Sequence, residues 1–123
     1  MRATASVLVV ALPFEAKTTA APSAASRELE KLWRGLDKPD GARGADAIDL
    51  AAFVGTGSGE RFYGWAGSLS TPPCAEGAAW LLAREATVLD PALVARFWAA
   101  VGGAPGNARP VQALNGRAIT QYD

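Results

Sequence analysis

Two apolar runs, Phe62 to Leu69 and Ala78 to Val88, stand on either side of the pair Pro72-Pro73, and this arrangement constrains the fold more than any other feature of the chain. Both runs are rich in aromatic and aliphatic residues and read as strands, while the prolines cannot donate to a ladder and impose a break between them. A third run, Ser6 to Leu12, ends at Pro13 and has two readings. With Met1-Arg2 before it and the small residues Ala20-Ala21 after it, it has the layout of a short signal peptide; its β-branched content favours a buried strand. It is too short to span a membrane. Ala118 to Tyr122 reads as a last short strand.

Helical signals alternate with these runs. Asp90 as N-cap, Pro91 at the first helical position, Leu93, Val94, Phe97 and Val101 on one face and Gly102-Gly103 as the stop predict a helix that covers a sheet. Earlier, Leu29, Leu32, Trp33 and Leu36 recur at helical spacing, with Ser26 as candidate N-cap and Gly35 near the end. Thr18 to Ala25 reads as a loop around Pro22, and Asp37 to Asp46, with Pro39, Gly41 and Gly44, as an exposed one. The short apolar piece Ile48 to Val54 gives way to Gly55-Thr56-Gly57-Ser58-Gly59, a turn rather than a phosphate cradle, because no lysine stands in the P-loop position and no helical pattern follows. The expected class is α+β: a largely antiparallel twisted sheet with two covering helices, forming one partial domain over residues 1–123 with residues 1–5 at a disordered margin.

Composition removes several functions. Twelve basic residues balance twelve acidic ones, and the longest charged stretch, Arg27 to Lys31, is mixed in sign, so nothing marks a nucleic-acid or anionic-membrane partner. The single cysteine, Cys74, excludes an internal disulfide and a cysteine-cluster zinc site. The absence of histidine excludes a His-ligated metal, a Ser-His-Asp triad and an imidazole proton shuttle within the chain.

The segment Gly67-Ser68-Leu69-Ser70-Thr71-Pro72-Pro73-Cys74-Ala75-Glu76-Gly77, closed by Trp80, resembles the signature of the α-class carbonic anhydrases, Gly-Ser-Leu-Thr-Thr-Pro-Pro-Cys followed by Ser-Glu-Gly and a tryptophan. The tail resembles that family's closing motif, Asn-x-Arg-Pro-x-Gln-x-Leu-Asn-x-Arg, through Asn107, Arg109, Pro110, Gln112, Leu114, Asn115 and Arg117. Ser6 to Leu12 is similar to an early strand of the same family. The likeness is to the C-terminal half of the fold and runs from about Ser6 onward; between Lys17 and Gly59 only the order of elements matches.

The resemblance implies a division of labour. Ser70 stands where the family has a threonine whose hydroxyl orients the zinc-held nucleophile; serine keeps the donor and the acceptor and loses the methyl that restricts χ1. Thr71 is the outer hydroxyl beside the substrate. Val7, Leu69 and Trp80 match the apolar wall that receives carbon dioxide, a molecule with little to hydrogen-bond. Asn107 matches a position whose backbone carbonyl orients a zinc histidine. The same likeness implies a cis bond between Pro72 and Pro73. Taken without the resemblance, Val7, Leu69 and Trp80 would be core residues, Ser70 and Thr71 strand-end hydroxyls, and Arg109 and Arg117 structural hydrogen-bond hubs.

The three zinc histidines of the family, the glutamate behind its threonine and its shuttle histidine have no counterpart here. Zinc could enter only if a partner or an N-terminal half supplied the ligands, and carbon dioxide or bicarbonate would be the substrate. Three readings stay open: an inactive enzyme fragment, one half of a split enzyme completed by a His-bearing chain, or a non-catalytic structural or interaction subunit. Cys74 occupies a position that is disulfide-bonded in many secreted members of the family, which points to a secreted, periplasmic or organelle-luminal location.

Overall fold

The computed structural model describes residues 7–34, 47–53, 61–103 and 106–123. The sequence readings at Met1-Arg2, Ser6, Gly35-Leu36, residues 37–46 and the glycine series 55–59 lie outside the described residues. In chain order the elements are β1 (Val7–Ala11), β2 (Phe14–Ala16), α1 (Ala24–Trp33), a 3-10 turn at Leu50–Ala52, β3 (Phe62–Ser68), β4 (Glu76–Ala83), β5 (Thr87–Leu89), α2 (Pro91–Ala100) and β6 (Thr120–Tyr122). The fold is α+β, with a mostly antiparallel main sheet and two helices. The chain divides into two compact units, one built from residues 1–13, 57–86 and 108–123, the other from 14–56 and 87–107.

The first unit is a four-stranded sheet in the order β1-β4-β3-β6. β3 runs antiparallel to β4 and to β6, and β1 runs parallel to β4. Across β3 and β4 the register places Trp65 opposite Trp80 and Tyr63 opposite Leu82, so these four side chains share one face. The ladder passes from Gly67 opposite Ala78 to Ser68 opposite Glu76, leaving Gly77 as the extra residue of a bulge. Gly77 adopts a φ of +98°, which L side chains rarely take, so glycine is what lets the strand bend there. Gly64 meets a second demand: a Cβ on it would lie 2.7 Å from the Tyr122 ring of β6.

β1 corrects one expectation. It is a strand, but at the edge of the sheet and not buried: Val7 is 42%, Leu8 62% and Val10 51% exposed. A strand of five apolar residues that carries neither a charge nor a proline is unusual at an edge, where such features normally discourage further pairing.

The second unit holds both helices. Asp90 caps α2 as its sequence predicts, its carboxylate accepting the Ala92 N–H at 2.8 Å and Pro91 following at the first position. Gly102 and Gly103, both at positive φ, end it. α1 begins three residues earlier than expected. Its N-cap is Ser23, whose Oγ accepts the Ser26 N–H at 3.0 Å and donates to Val88 O at 2.9 Å. Ser26 is instead a buried residue of the first turn, and its hydroxyl accepts the Asp90 N–H at 3.2 Å.

The run Ala78 to Val88 is not one strand. It bends at Arg84-Glu85, where Arg61 pairs with Glu85 and Arg84 with Asp123, both at 2.7 Å, and resumes as β5 in a separate two-stranded sheet. There β5 pairs in parallel with β2, which the sequence reading had passed over. α1 packs on β5 and against α2. Leu89, Leu93, Ala25 and Phe53 form the buried centre, each leucine contributing about 2 kcal/mol by leaving water. Phe14 meets Phe53 edge-on at 6.2 Å, and Trp33 stacks on Phe97 at 6.0 Å.

Candidate functional site

Within the first unit the Tyr63, Trp65, Trp80 and Leu82 face of the sheet and the tail from Arg109 to Ile119 enclose an open groove of about 630 Å³. Alternation along β3 sends Tyr63 and Trp65 to the same side, and the β3–β4 register brings Trp80 against Trp65. The two indoles stack 5.8 Å apart and 4° from parallel. Trp80 is fixed further by its Nε1–H, which donates to Ser68 O at 3.0 Å.

The loop after β3 is held closely. The Leu69 N–H donates to Ala75 O at 3.0 Å and the Cys74 N–H to Thr71 O at 2.8 Å, closing a turn around Pro72-Pro73, whose peptide bond is cis as the resemblance implied. Cys74 sits at a φ of +59°. Arg109 ties this loop to the tail, its Nη1 donating to Ser68 Oγ at 3.1 Å and to Leu69 O at 3.2 Å. Arg117 pins the tail's own turn through Leu114 O and Ala113 O, each at 2.9 Å. Both arginines are therefore the structural hubs that their residue type suggested.

Of the site residues read from the sequence, the fold brings Ser70 and Trp80 to the groove. Ser70 is exposed at its rim, and the exposed Thr71 and half-buried Leu69 flank it in the same loop. Val7 pairs with Ala78, two positions before Trp80, and so shares the Trp80 face of the sheet without lining the groove. Asn107 is exposed and belongs to the second unit. The sequence reading had not singled out Tyr63 or Trp65 for the site. Their two-residue spacing was visible, but the partner strand that makes them a wall is set by a register no local pattern encodes.

The donor set of this chain does not fit a zinc ion. The sequence holds no histidine and one cysteine, and among the described residues no three His, Cys, Asp or Glu side chains come together.

An α+β chain with a Ser-Thr-Pro-Pro loop at the mouth of a tryptophan-walled groove defines the class, and comparison with known proteins gives it a family. The chain belongs to the eukaryotic-type carbonic anhydrases, whose family model matches residues 1–123. It is 33% identical to a carbonic anhydrase of Klebsiella pneumoniae over 117 residues, covering 94% of this chain and 44% of that protein. A carbonic anhydrase of Neisseria gonorrhoeae is 44% identical over 61 residues, 50% of this chain and 23% of that one. Among solved structures, the α-carbonic anhydrase of Thermovibrio ammonificans superposes with a TM-score of 0.73 at 28% identity, covering 91% of this chain and 46% of that one. The chain thus spans less than half the length of these relatives.

Proposed function

We propose that the chain carries part of the machinery for the family reaction, the reversible hydration of carbon dioxide, and does not catalyse that reaction by itself. The observation that carries this reading is a family match across all 123 residues in a sequence without histidine. In this reading the Ser70 hydroxyl, exposed at the groove and able both to donate and to accept, is the hydroxyl gate, with Thr71 outside it. Trp80 supplies the apolar wall within the groove, with Leu69 in the flanking loop and Val7 on the same face of the sheet beyond it, and the Asn107 carbonyl is a backbone acceptor for a ligand this chain does not own. Serine in place of threonine leaves χ1 freer, so the hydroxyl is less tightly aimed.

The open, uncharged edge of β1 supports a second reading, in which a His-bearing polypeptide extends the sheet there and completes a split enzyme. Without such a chain the protein is a non-catalytic relative acting as a structural or interaction subunit. Cys74, half-buried and unpaired among the described residues, stands where many secreted relatives form a disulfide, and that position supports an oxidising compartment in which another chain or segment blocks the thiol. Cell fractionation with thiol labelling checks this, and a cytosolic protein with a free Cys74 overturns it.

The central test equilibrates the chain with zinc, removes the excess, and measures bound metal and carbon dioxide hydration. The expected outcome is no stoichiometric zinc and no hydration above buffer. One zinc per chain with accompanying activity sinks the reading. Activity gained on mixing with the His-bearing half of a relative selects the split enzyme over the non-catalytic subunit.

A further inference from the structure

The groove has a chemistry of its own that carbon dioxide does not need. Its floor is the stacked Trp65–Trp80 pair with Tyr63 and Leu82 beside it, an aromatic and largely apolar surface. Among the described residues its only charged lining side chains are Arg109 and Arg117, and no aspartate or glutamate lines it. Each guanidinium is held in place by backbone or hydroxyl acceptors, yet neither is used up. Arg109 engages acceptors through Nη1 alone, and Arg117 through Nε and Nη2. Nε and Nη2 of Arg109 and Nη1 of Arg117 have no acceptor among the described residues. A guanidinium presents five donors in a fixed plane, so an arginine anchored at one edge still offers the other to an anion.

We propose that this groove binds an aromatic carboxylate, its rings lying on the Trp65–Trp80 wall and its carboxylate accepting from the free edges of Arg109 and Arg117. The positive rim without a neighbouring acid sets the sign of the ligand's charge. The stacked indoles favour an aromatic body, and about 630 Å³ lies within the range of small-molecule sites. Stacking and charge-assisted hydrogen bonds act on different parts of the same ligand and can be removed separately. The proposal does not depend on the hydration reading, because it uses neither metal nor turnover.

Titration of the full 123-residue chain with 2-naphthoate, followed through the indole N–H resonances of its four tryptophans, tests the site. Saturable shifts of Trp65 and Trp80 are expected, with Trp33 and Trp98 unmoved. The neutral isostere 2-naphthalenemethanol should bind about tenfold more weakly, the loss expected when a charged hydrogen bond is removed. Arg117→Gln should weaken naphthoate about fivefold and leave the alcohol unchanged. Equal binding of acid and alcohol, shifts confined to Trp33 and Trp98, or no shift at millimolar naphthoate overturns the proposal. The acid-to-alcohol comparison needs no substitution and decides the matter even where Arg117→Gln fails to fold.

Discussion

The Ser26 hydroxyl accepts the Asp90 backbone N–H at 3.2 Å, joining the first turn of one helix to the cap of the other across 64 positions of sequence. Ser26 is 2% exposed, so the Asp90 N–H has no ready substitute for this acceptor. Ser26→Ala therefore costs about 1–3 kcal/mol, the penalty of a buried donor left unmet. The urea unfolding midpoint measures it. Ser26→Thr, which keeps the oxygen but adds a methyl in a packed site, is expected to lose less of the hydrogen bond and to show its cost as overpacking.

Asp90→Ala tests the cap itself. Removing the carboxylate that accepts the Ala92 N–H costs about 1 kcal/mol, and Asp90→Asn recovers most of it because the amide oxygen accepts equally well. Equilibrium unfolding of the three proteins side by side checks the order Asp, Asn, Ala.

Trp65→Ala removes one half of the stacked pair and is expected to destabilise the chain by about 2–4 kcal/mol, less than a fully buried tryptophan because the ring is only half-buried. Trp65→Phe keeps a ring and loses less. Near-ultraviolet circular dichroism, which reports indoles held in a fixed asymmetric environment, should lose intensity when one ring of the pair is removed.

These residues also show what the sequence could and could not reveal. α2 was legible from end to end because Asp90, Pro91 and Gly102-Gly103 act on their own backbone, and local chemistry is what a local pattern records. The start of α1 was misplaced for the complementary reason: Ser23 and Ser26 are both good caps, and what makes Ser26 a buried link is the Asp90 N–H far along the chain. The split of Ala78 to Val88 into β4 and β5 falls at the charged pair Arg84-Glu85, but that the two halves join different sheets is decided by their partners and not by any local pattern. In the groove, Ser70 and Trp80 were found through a motif in fixed register, and Trp65 became visible only when β3 and β4 were aligned.

Acid should loosen the α1 region through Glu28. Its carboxylate accepts from Lys31 Nζ at 2.7 Å and from the Asp49 N–H at 3.0 Å, and these contacts hold its pKa below the ordinary value of 4.5. A carboxyl whose folded pKa is depressed contributes stability that is complete above its unfolded value and is lost as pH falls through the folded one. The contribution is thus present at neutral pH and declines only below about 4.5. Glu28→Gln should lower stability at pH 7 and flatten the acid limb, so that the two proteins converge at low pH. Urea midpoints measured from pH 7 downward test this, and parallel curves for the two proteins would sink it.

Leu8→Lys places a charge on the exposed edge strand without touching the groove or the buried centre. It should reduce self-association with little change in the unfolding midpoint. Light scattering across a concentration series is the measurement.

An edge strand with no pairing partner on its outer side among the described residues makes protein concentration a variable in how this chain behaves in solution. Dilute, it has nothing to pair with; crowded, the alternate backbone amides and carbonyls that β4 leaves unused, backed by valine and leucine, offer every extended segment nearby the same invitation.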